Sequence, residues 1–137
     1  METLNKVAYK AAATAKGGRG GRSVSEDGSV DVELGKPGSG KANPETLFAA
    51  GYAACFGGAL AKVAESQGVD AGESSVHAEV KFGETDSGFG LAVDLVATVP
   101  GVDDATAQEL TDKAHQMCPY SKATRGNIEV SVTGKGA

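Results

Sequence analysis

The longest apolar pattern in the chain runs from Leu47 to Val63, through Phe48, Tyr52, Cys55, Phe56, Ala59 and Leu60, with no charged residue between Leu47 and Leu60. This predicts a helix that is apolar nearly all round. Such a helix is expected to be buried on all sides, at the centre of the protein or of a dimer. Both ends are marked: Asn43 suits the N-cap, Pro44 the first helical position and Glu45 the positive end of the helix dipole, while Gly68 can end the last turn.

Alternating patterns fill much of the rest. Residues 4–14 read as a first strand, and GGRGGR (17–22) must turn. RSVSEDGSVDVEL then reads as a hairpin about Asp27-Gly28, and GKPGSGKANP (35–44) as a loop. Residues 74–100 form two alternating runs with a turn near Asp86-Ser87-Gly88, predicting an antiparallel pair. A second helix is expected from about Asp103 to Met117, with Leu110, Ala114 and Met117 on one face. CPYSKAT (118–124) reads as a short helical turn, because Pro119 can start a helix but not continue one. NIEVSVTG (127–134) reads as a last strand. Strands, helix, strands, helix, strand is the order of an α+β protein, here a single domain over residues 1–137.

Composition narrows the function. The formal charge of −5, the absence of Trp and an aromatic content of 5% argue against nucleic acid as a partner. The apolar runs fall short of the ~18 residues a membrane span needs. The N-terminus lacks the apolar core of an export signal, so a cytoplasmic location is expected. Two cysteines in 137 residues do not make a disulfide scaffold. In a reducing compartment they are structural or reactive thiols.

Three patterns suggest chemistry. Gly35, Gly40 and Lys41 imitate a phosphate-binding loop, but Ala42 stands where Ser or Thr would hold Mg²⁺, and Asn43-Pro44 delays the helix. A Gly-rich approach to a capped helix is the better reading. His77 and His115 have no metal-ligand spacing, and there is no Ser-centred elbow, so neither a metal nor a Ser nucleophile is expected. The cysteines remain. Cys55 on an apolar helix packs readily as a small hydrophobe, and its thiolate would need a cation nearby. Arg19, Arg22, Arg125 and the lysines are the available cations, with Glu45 as a partner for a buried guanidinium. Cys118, just before Pro119, should sit at a helix N-terminus, where the dipole favours a thiolate. On position alone Cys118 is the better nucleophile.

NPETLFAAGYAACF, followed much later by CPYSKATRGNIEV and preceded by the GGRGGR turn, resembles the organic hydroperoxide resistance proteins of the osmotically inducible protein C (OsmC) superfamily. The resemblance spans nearly the whole chain. It implies antiparallel sheets around long central apolar helices in an intertwined homodimer. It implies a thiol peroxidase that reduces small organic hydroperoxides to alcohols, with Cys55 peroxidatic, Cys118 resolving, and Arg19 and Glu45 as the activating pair. That reverses the ranking of the cysteines. No bound cofactor is implied, but an external dithiol reductant is: dihydrolipoamide or a lipoylated protein. Gly20 follows Arg19 where the family often carries Asp. Phe48, Tyr52, Phe56 and Tyr120 are candidates for the lining of an apolar substrate pocket.

Glu45 and Cys55 are ten residues apart on one predicted helix, roughly 15 Å along its axis. One Arg cannot bond Glu45 and contact Cys55 of the same straight helix. Two antiparallel copies crossing near Ala50 or Gly51 would bring Cys55 of one chain beside Glu45 of the other, so each active site is expected to use both chains. Two other readings use the same residues: a non-catalytic stress or binding protein with structural thiols, and a redox sensor that passes its disulfide to a partner.

Overall fold

The computed structural model describes residues 1–137. The chain forms two compact units, Met1–Pro44 and Glu45–Ala137.

In the first unit, β1 (Ala13–Lys16), β2 (Arg22–Ser25) and β3 (Asp31–Glu33) make an antiparallel sheet in that order. The first strand is shorter and later than the 4–14 expected from the sequence. Its forerunner is Ala- and Lys-rich, with little β propensity to hold it in a sheet. The Gly-rich turn is a single 3-10 turn, Gly18–Gly20, entered through Gly17 at φ 83° and Gly18 at φ 60°. Both angles favour glycine. The β2–β3 hairpin turns where Asp27-Gly28 predicts: the Asp27 carboxylate accepts from the Ser29 backbone N–H (2.9 Å) and from the Ser25 hydroxyl (2.7 Å).

The 35–42 loop closes on itself. Leu34 and Ala42 form a bridge, and the Gly35 N–H donates to the Ala42 carbonyl at 2.9 Å. The Lys41 ammonium lies 3.6 Å from the Glu33 carboxylate. The helix begins only at Pro44, after this closure. Its N–H groups do not open from the glycine loop as a phosphate site requires.

The second unit is built on α1 (Pro44–Ser66), a 23-residue helix that starts at the proline, as Asn43-Pro44 predicts. It ends in a Schellman motif. The Gly68 N–H donates to the Glu65 carbonyl and the Val69 N–H to the Ala64 carbonyl, with Gly68 at φ 72°. By length and composition alone α1 could cross a membrane. Its packing gives another reason for its apolarity: Tyr52, Phe56, Ala59, Leu60 and Val63 belong to the core cluster. Within one chain it is buried on this face only, not all round, and Ala50, Ala54, Gly58 and Ala61 are exposed.

β4 (Ser75–Thr85) and β5 (Gly88–Val99) form the expected antiparallel hairpin, with Thr85 opposite Gly88 and Asp86-Ser87 between them. Alternate β5 residues Val93, Leu95, Ala97 and Val99 face the core. β6 (Val130–Gly136) lies on the other side of β5 and runs parallel to it. The second sheet is therefore mixed, whereas the resemblance implies antiparallel sheets. A parallel neighbour needs a long crossover. Here α2 (Asp104–Met117) and α3 (Pro119–Thr124) supply it. Asp103 caps α2, accepting from the Thr106 N–H at 2.7 Å, and Ala107, Leu110 and Ala114 pack into the core. Burial of each large side chain such as Phe56, Leu60 or Leu110 contributes about 1.5–3 kcal/mol.

Candidate functional site: two cysteines across two helices

Cys118 occupies the junction of α2 and α3. Pro119 has no N–H to donate and pushes the residue before it out of the helical region. Cys118 accordingly sits at φ −64°, ψ 123°. Its N–H closes α2 on the Ala114 carbonyl at 2.8 Å, and its carbonyl accepts the first α3 bond, from Lys122, at 3.0 Å. This elbow turns the thiol inward, where it is completely buried.

Cys55 projects from the middle of α1 and is partly exposed. The two sulfurs are 3.4 Å apart, with the Cys118 S–H placed to donate to Cys55, and both cysteines are free thiols. A disulfide needs about 2.05 Å, so closure requires only a small movement of either side chain. Sequence position alone favours Cys118 as the nucleophile. Its complete burial leaves Cys55 as the sulfur that a reagent from solvent reaches first.

The groups around Cys55 in this unit do not make it acidic. Desolvation by burial pushes its thiol up, the Tyr120 backbone N–H works in the opposite direction, and the neighbouring Cys118 thiol raises it again. A thiolate here needs a positive charge from elsewhere.

Glu45 is half-buried in the first turn of α1. Because α1 is one helix from Pro44 to Ser66, Glu45 and Cys55 are separated by roughly 15 Å of helix axis. Arg19 is the only residue with a side chain in the 3-10 turn. With Gly20, Gly35, Lys36, Pro37 and Asn43 it lines a recess of about 260 Å³ in the N-terminal unit.

The four aromatic residues divide. Tyr52 and Phe56 are fully buried members of the core, so within one chain they support the site from behind rather than line a pocket. Phe48 is partly buried and Tyr120 is 42% exposed, and these two remain accessible. The rings of Phe48, Tyr52 and Tyr120 form one cluster, with centroids 5.7–6.3 Å apart. The ring of Tyr120 lies over Gly51, one turn before Cys55. A Cβ at Gly51 would come 3.0 Å from its hydroxyl and 3.3 Å from its Cε2.

A buried polar network that no sequence motif marks lies beside the cysteines. The Tyr52 hydroxyl is 2.8 Å from the Ser121 hydroxyl and 3.0 Å from that of Thr124. Ser121 is in turn 2.7 Å from His115 Nδ1. The Arg125 guanidinium donates to the His115 carbonyl at 2.8 Å. Burial and then the nearby Arg125 charge lower the His115 pKa, and Asp112 opposes them. The available signal is slight: Ser121 and Thr124 are three apart in a six-residue helix and share one face. The partner hydroxyl lies about 70 residues away in sequence and gives no local sign.

An α+β chain whose long apolar helix and short third helix bring two free cysteines into contact is a two-cysteine thiol protein. A family model described as OsmC-like protein matches residues 35–133. The organic hydroperoxide resistance protein of Xanthomonas axonopodis pv. citri is 51% identical over 140 residues, covering 97% of this chain and 99% of its own. The crystal structure of the organic hydroperoxide resistance protein OhrB of Bacillus subtilis superposes with a TM-score of 0.86 at 43% identity, covering 96% of this chain and 100% of that one. That of an organic hydroperoxide resistance protein from Elizabethkingia anophelis, with thiocyanate bound, gives 0.86 at 48% identity, with both chains covered completely. The chain belongs to the organic hydroperoxide resistance proteins of the OsmC-like family.

Proposed function

We propose that this protein is a cysteine-dependent peroxidase that detoxifies organic hydroperoxides by reducing them to alcohols. The single observation that carries this reading is the 3.4 Å contact between a reachable Cys55 and a sealed Cys118. The Cys55 thiolate attacks one peroxide oxygen. The O–O bond breaks, the alkoxide leaves and takes a proton to become the alcohol, and Cys55 becomes a sulfenic acid. The Cys118 sulfur then attacks the Cys55 sulfur. Water leaves and the disulfide forms without a large rearrangement. An external dithiol, of the dihydrolipoamide or lipoylated-protein type, reduces it by exchange.

Because its own surroundings raise Cys55, the thiolate requires a cation, and Arg19 is the proposed supplier, held by Glu45 through a bidentate contact. The length of α1 between Glu45 and Cys55 supports a site assembled from two chains. The exposed small residues Ala50, Ala54, Gly58 and Ala61 support the homodimer this requires. So does the N-terminal sheet, where β1 has no buried residue. Phe48 and Tyr120 offer an apolar approach to Cys55 that suits an organic peroxide better than H₂O₂. A reducing, cytoplasmic compartment suits two free thiols.

The test is steady-state reduction of cumene hydroperoxide, tert-butyl hydroperoxide and H₂O₂ with dihydrolipoamide, for wild type and Cys55→Ser. Fast turnover of the organic peroxides that disappears in the variant is expected. Equal turnover in the two proteins, or none in either, would refute the proposal.

A further inference from the structure

Tyr52 and Cys55 are three residues apart on α1, and Cys118 and Ser121 are three residues apart at the start of α3. Tyr52 meets Ser121 at 2.8 Å, while Cys55 meets Cys118 at 3.4 Å. The hydrogen bond and the sulfur contact are therefore successive cross-links between the same two helical segments. They are separated by about 4.5 Å of helix rise, and the two segments run antiparallel, residues 52 to 55 of one facing 121 to 118 of the other. The Tyr52 hydroxyl is also 3.0 Å from Thr124, one turn further along α3.

All three hydroxyl-bearing residues are buried, and no buried side-chain polar atom lacks a hydrogen-bond partner. One donor assignment satisfies the whole group. His115 Nδ1–H donates to Ser121, Ser121 to Tyr52, Tyr52 to Thr124, and Thr124 to the Ser121 carbonyl, a contact of 3.2 Å. α3 has only six residues, too few to hold its own position. Tertiary contacts fix it, and these are its buried polar ones.

We propose that Tyr52 is a positioning residue for the cysteine pair. Its hydroxyl, shared between Ser121 and Thr124, holds α3 so that Cys118, at the head of that helix, stays within bonding reach of Cys55. The inference deepens the peroxidase reading by naming what sets the second, disulfide-forming step. Without the hydroxyl, α3 samples more positions, the effective concentration of one thiol at the other falls, and the disulfide forms less readily.

The test does not depend on peroxide chemistry. Reduced protein is equilibrated with mixtures of glutathione and glutathione disulfide. In this exchange the Cys55–Cys118 bond forms, the glutathione S–S bond breaks, and two glutathione thiols are released. The equilibrium constant reports effective concentration in the folded protein, and circular dichroism checks that each variant is folded.

Tyr52→Phe is expected to lower the constant about tenfold, the scale of a lost buried hydrogen bond. Thr124→Val should lower it less, and Thr124→Ser, which keeps the hydroxyl, should restore the wild-type value. In the Tyr52→Phe background, Thr124→Val should have little further effect, because the shared bond is already gone. A Tyr52→Phe constant equal to wild type would overturn the proposal, as would full additivity of the two changes. A wild-type protein that forms the disulfide in this buffer yet turns over no peroxide would remove the peroxidase reading and leave the positioning role standing.

Discussion

The Cys118 sulfur lies 3.4 Å from the Cys55 sulfur, with Cys118 wholly buried and Cys55 partly exposed. This asymmetry is consistent with different tasks for the two thiols: chain position alone favours Cys118 as the nucleophile, and the family resemblance favours Cys55. In the proposed reaction a peroxide in solution meets Cys55 first. Cys118 is already next to whatever Cys55 becomes.

The cation requirement at Cys55 is open to direct measurement. Burial and the Cys118 thiol raise its pKa against the Tyr120 N–H. If Arg19 supplies the missing charge, Arg19→Ala should shift the alkylation profile of Cys55 to higher pH, above the ordinary thiol value of about 8.5. The wild-type profile should lie below that value. Identical profiles, measured with iodoacetamide and read by mass spectrometry at Cys55, would remove Arg19 from this role.

Two glycines should respond differently to alanine. At Gly134 a Cβ would overlap the backbone of Ala107 and Gln108, where β6 passes under α2. Backbone cannot step aside, so Gly134→Ala should destabilise by at least about 1–3 kcal/mol. At Gly51 the obstacle is the outer end of the Tyr120 side chain, which is 42% exposed and can give way more easily than backbone. Alanine in place of a helical glycine gains about 1 kcal/mol, so Gly51→Ala should fold at least as stably as wild type while displacing Tyr120 from beside Cys55. Urea midpoints of the two variants test the contrast, which fails if Gly51→Ala is the less stable.

His115 gives stability a pH dependence. Its folded pKa is lowered, first by burial and then by Arg125, against Asp112. The unfolded imidazole titrates near pH 6.5 and binds protons at a pH where the folded one does not. The contribution is therefore complete above about pH 6.5 and is lost as pH falls below it toward the folded pKa. His115→Gln should flatten this slope in the melting temperature. An unchanged slope would assign it to another group.

The Asp27 carboxyl is held down to about 2, first by the Ser29 hydroxyl, then by the Ser29 backbone N–H and the Ser25 hydroxyl. The unfolded carboxyl titrates near 3.9. The turn's stabilisation is thus present above about pH 4 and fades as pH falls toward the folded value. An NMR titration of Asp27 should give a midpoint near 2. A midpoint near 4 would mean that the turn bonds do not form in solution.

Local rules made the two long helices and the β4–β5 hairpin legible. Asn43-Pro44 and Gly68 bound α1, and Asp86-Ser87 turns the hairpin, because caps and tight turns depend on a few adjacent residues. The parallel pairing of β6 with β5 was not legible, since strand direction follows from how α2 and α3 cross over. Nor was the one-sided burial of α1: an apolar face can be left for another surface, and composition does not distinguish the cases. The candidate site was legible in its residue types but not in its geometry. Cys55 and Cys118 are 63 positions apart, and only the packed core brings them together. Tyr52, Ser121 and Thr124 look like an ordinary core aromatic and two small helical polar residues until the fold makes them partners.

In the proposed reaction Cys55 takes the peroxide oxygen and Cys118 of the same chain resolves it. The most direct measurement is peptide mapping after one equivalent of cumene hydroperoxide, for wild type and Cys118→Ser, with dimedone present to trap sulfenic acid. A Cys55–Cys118 disulfide is expected within single chains of the wild type, and a dimedone adduct on Cys55 alone in the variant. A disulfide linking two chains, or an adduct first appearing on Cys118 in Cys55→Ser at the wild-type rate, would contradict it.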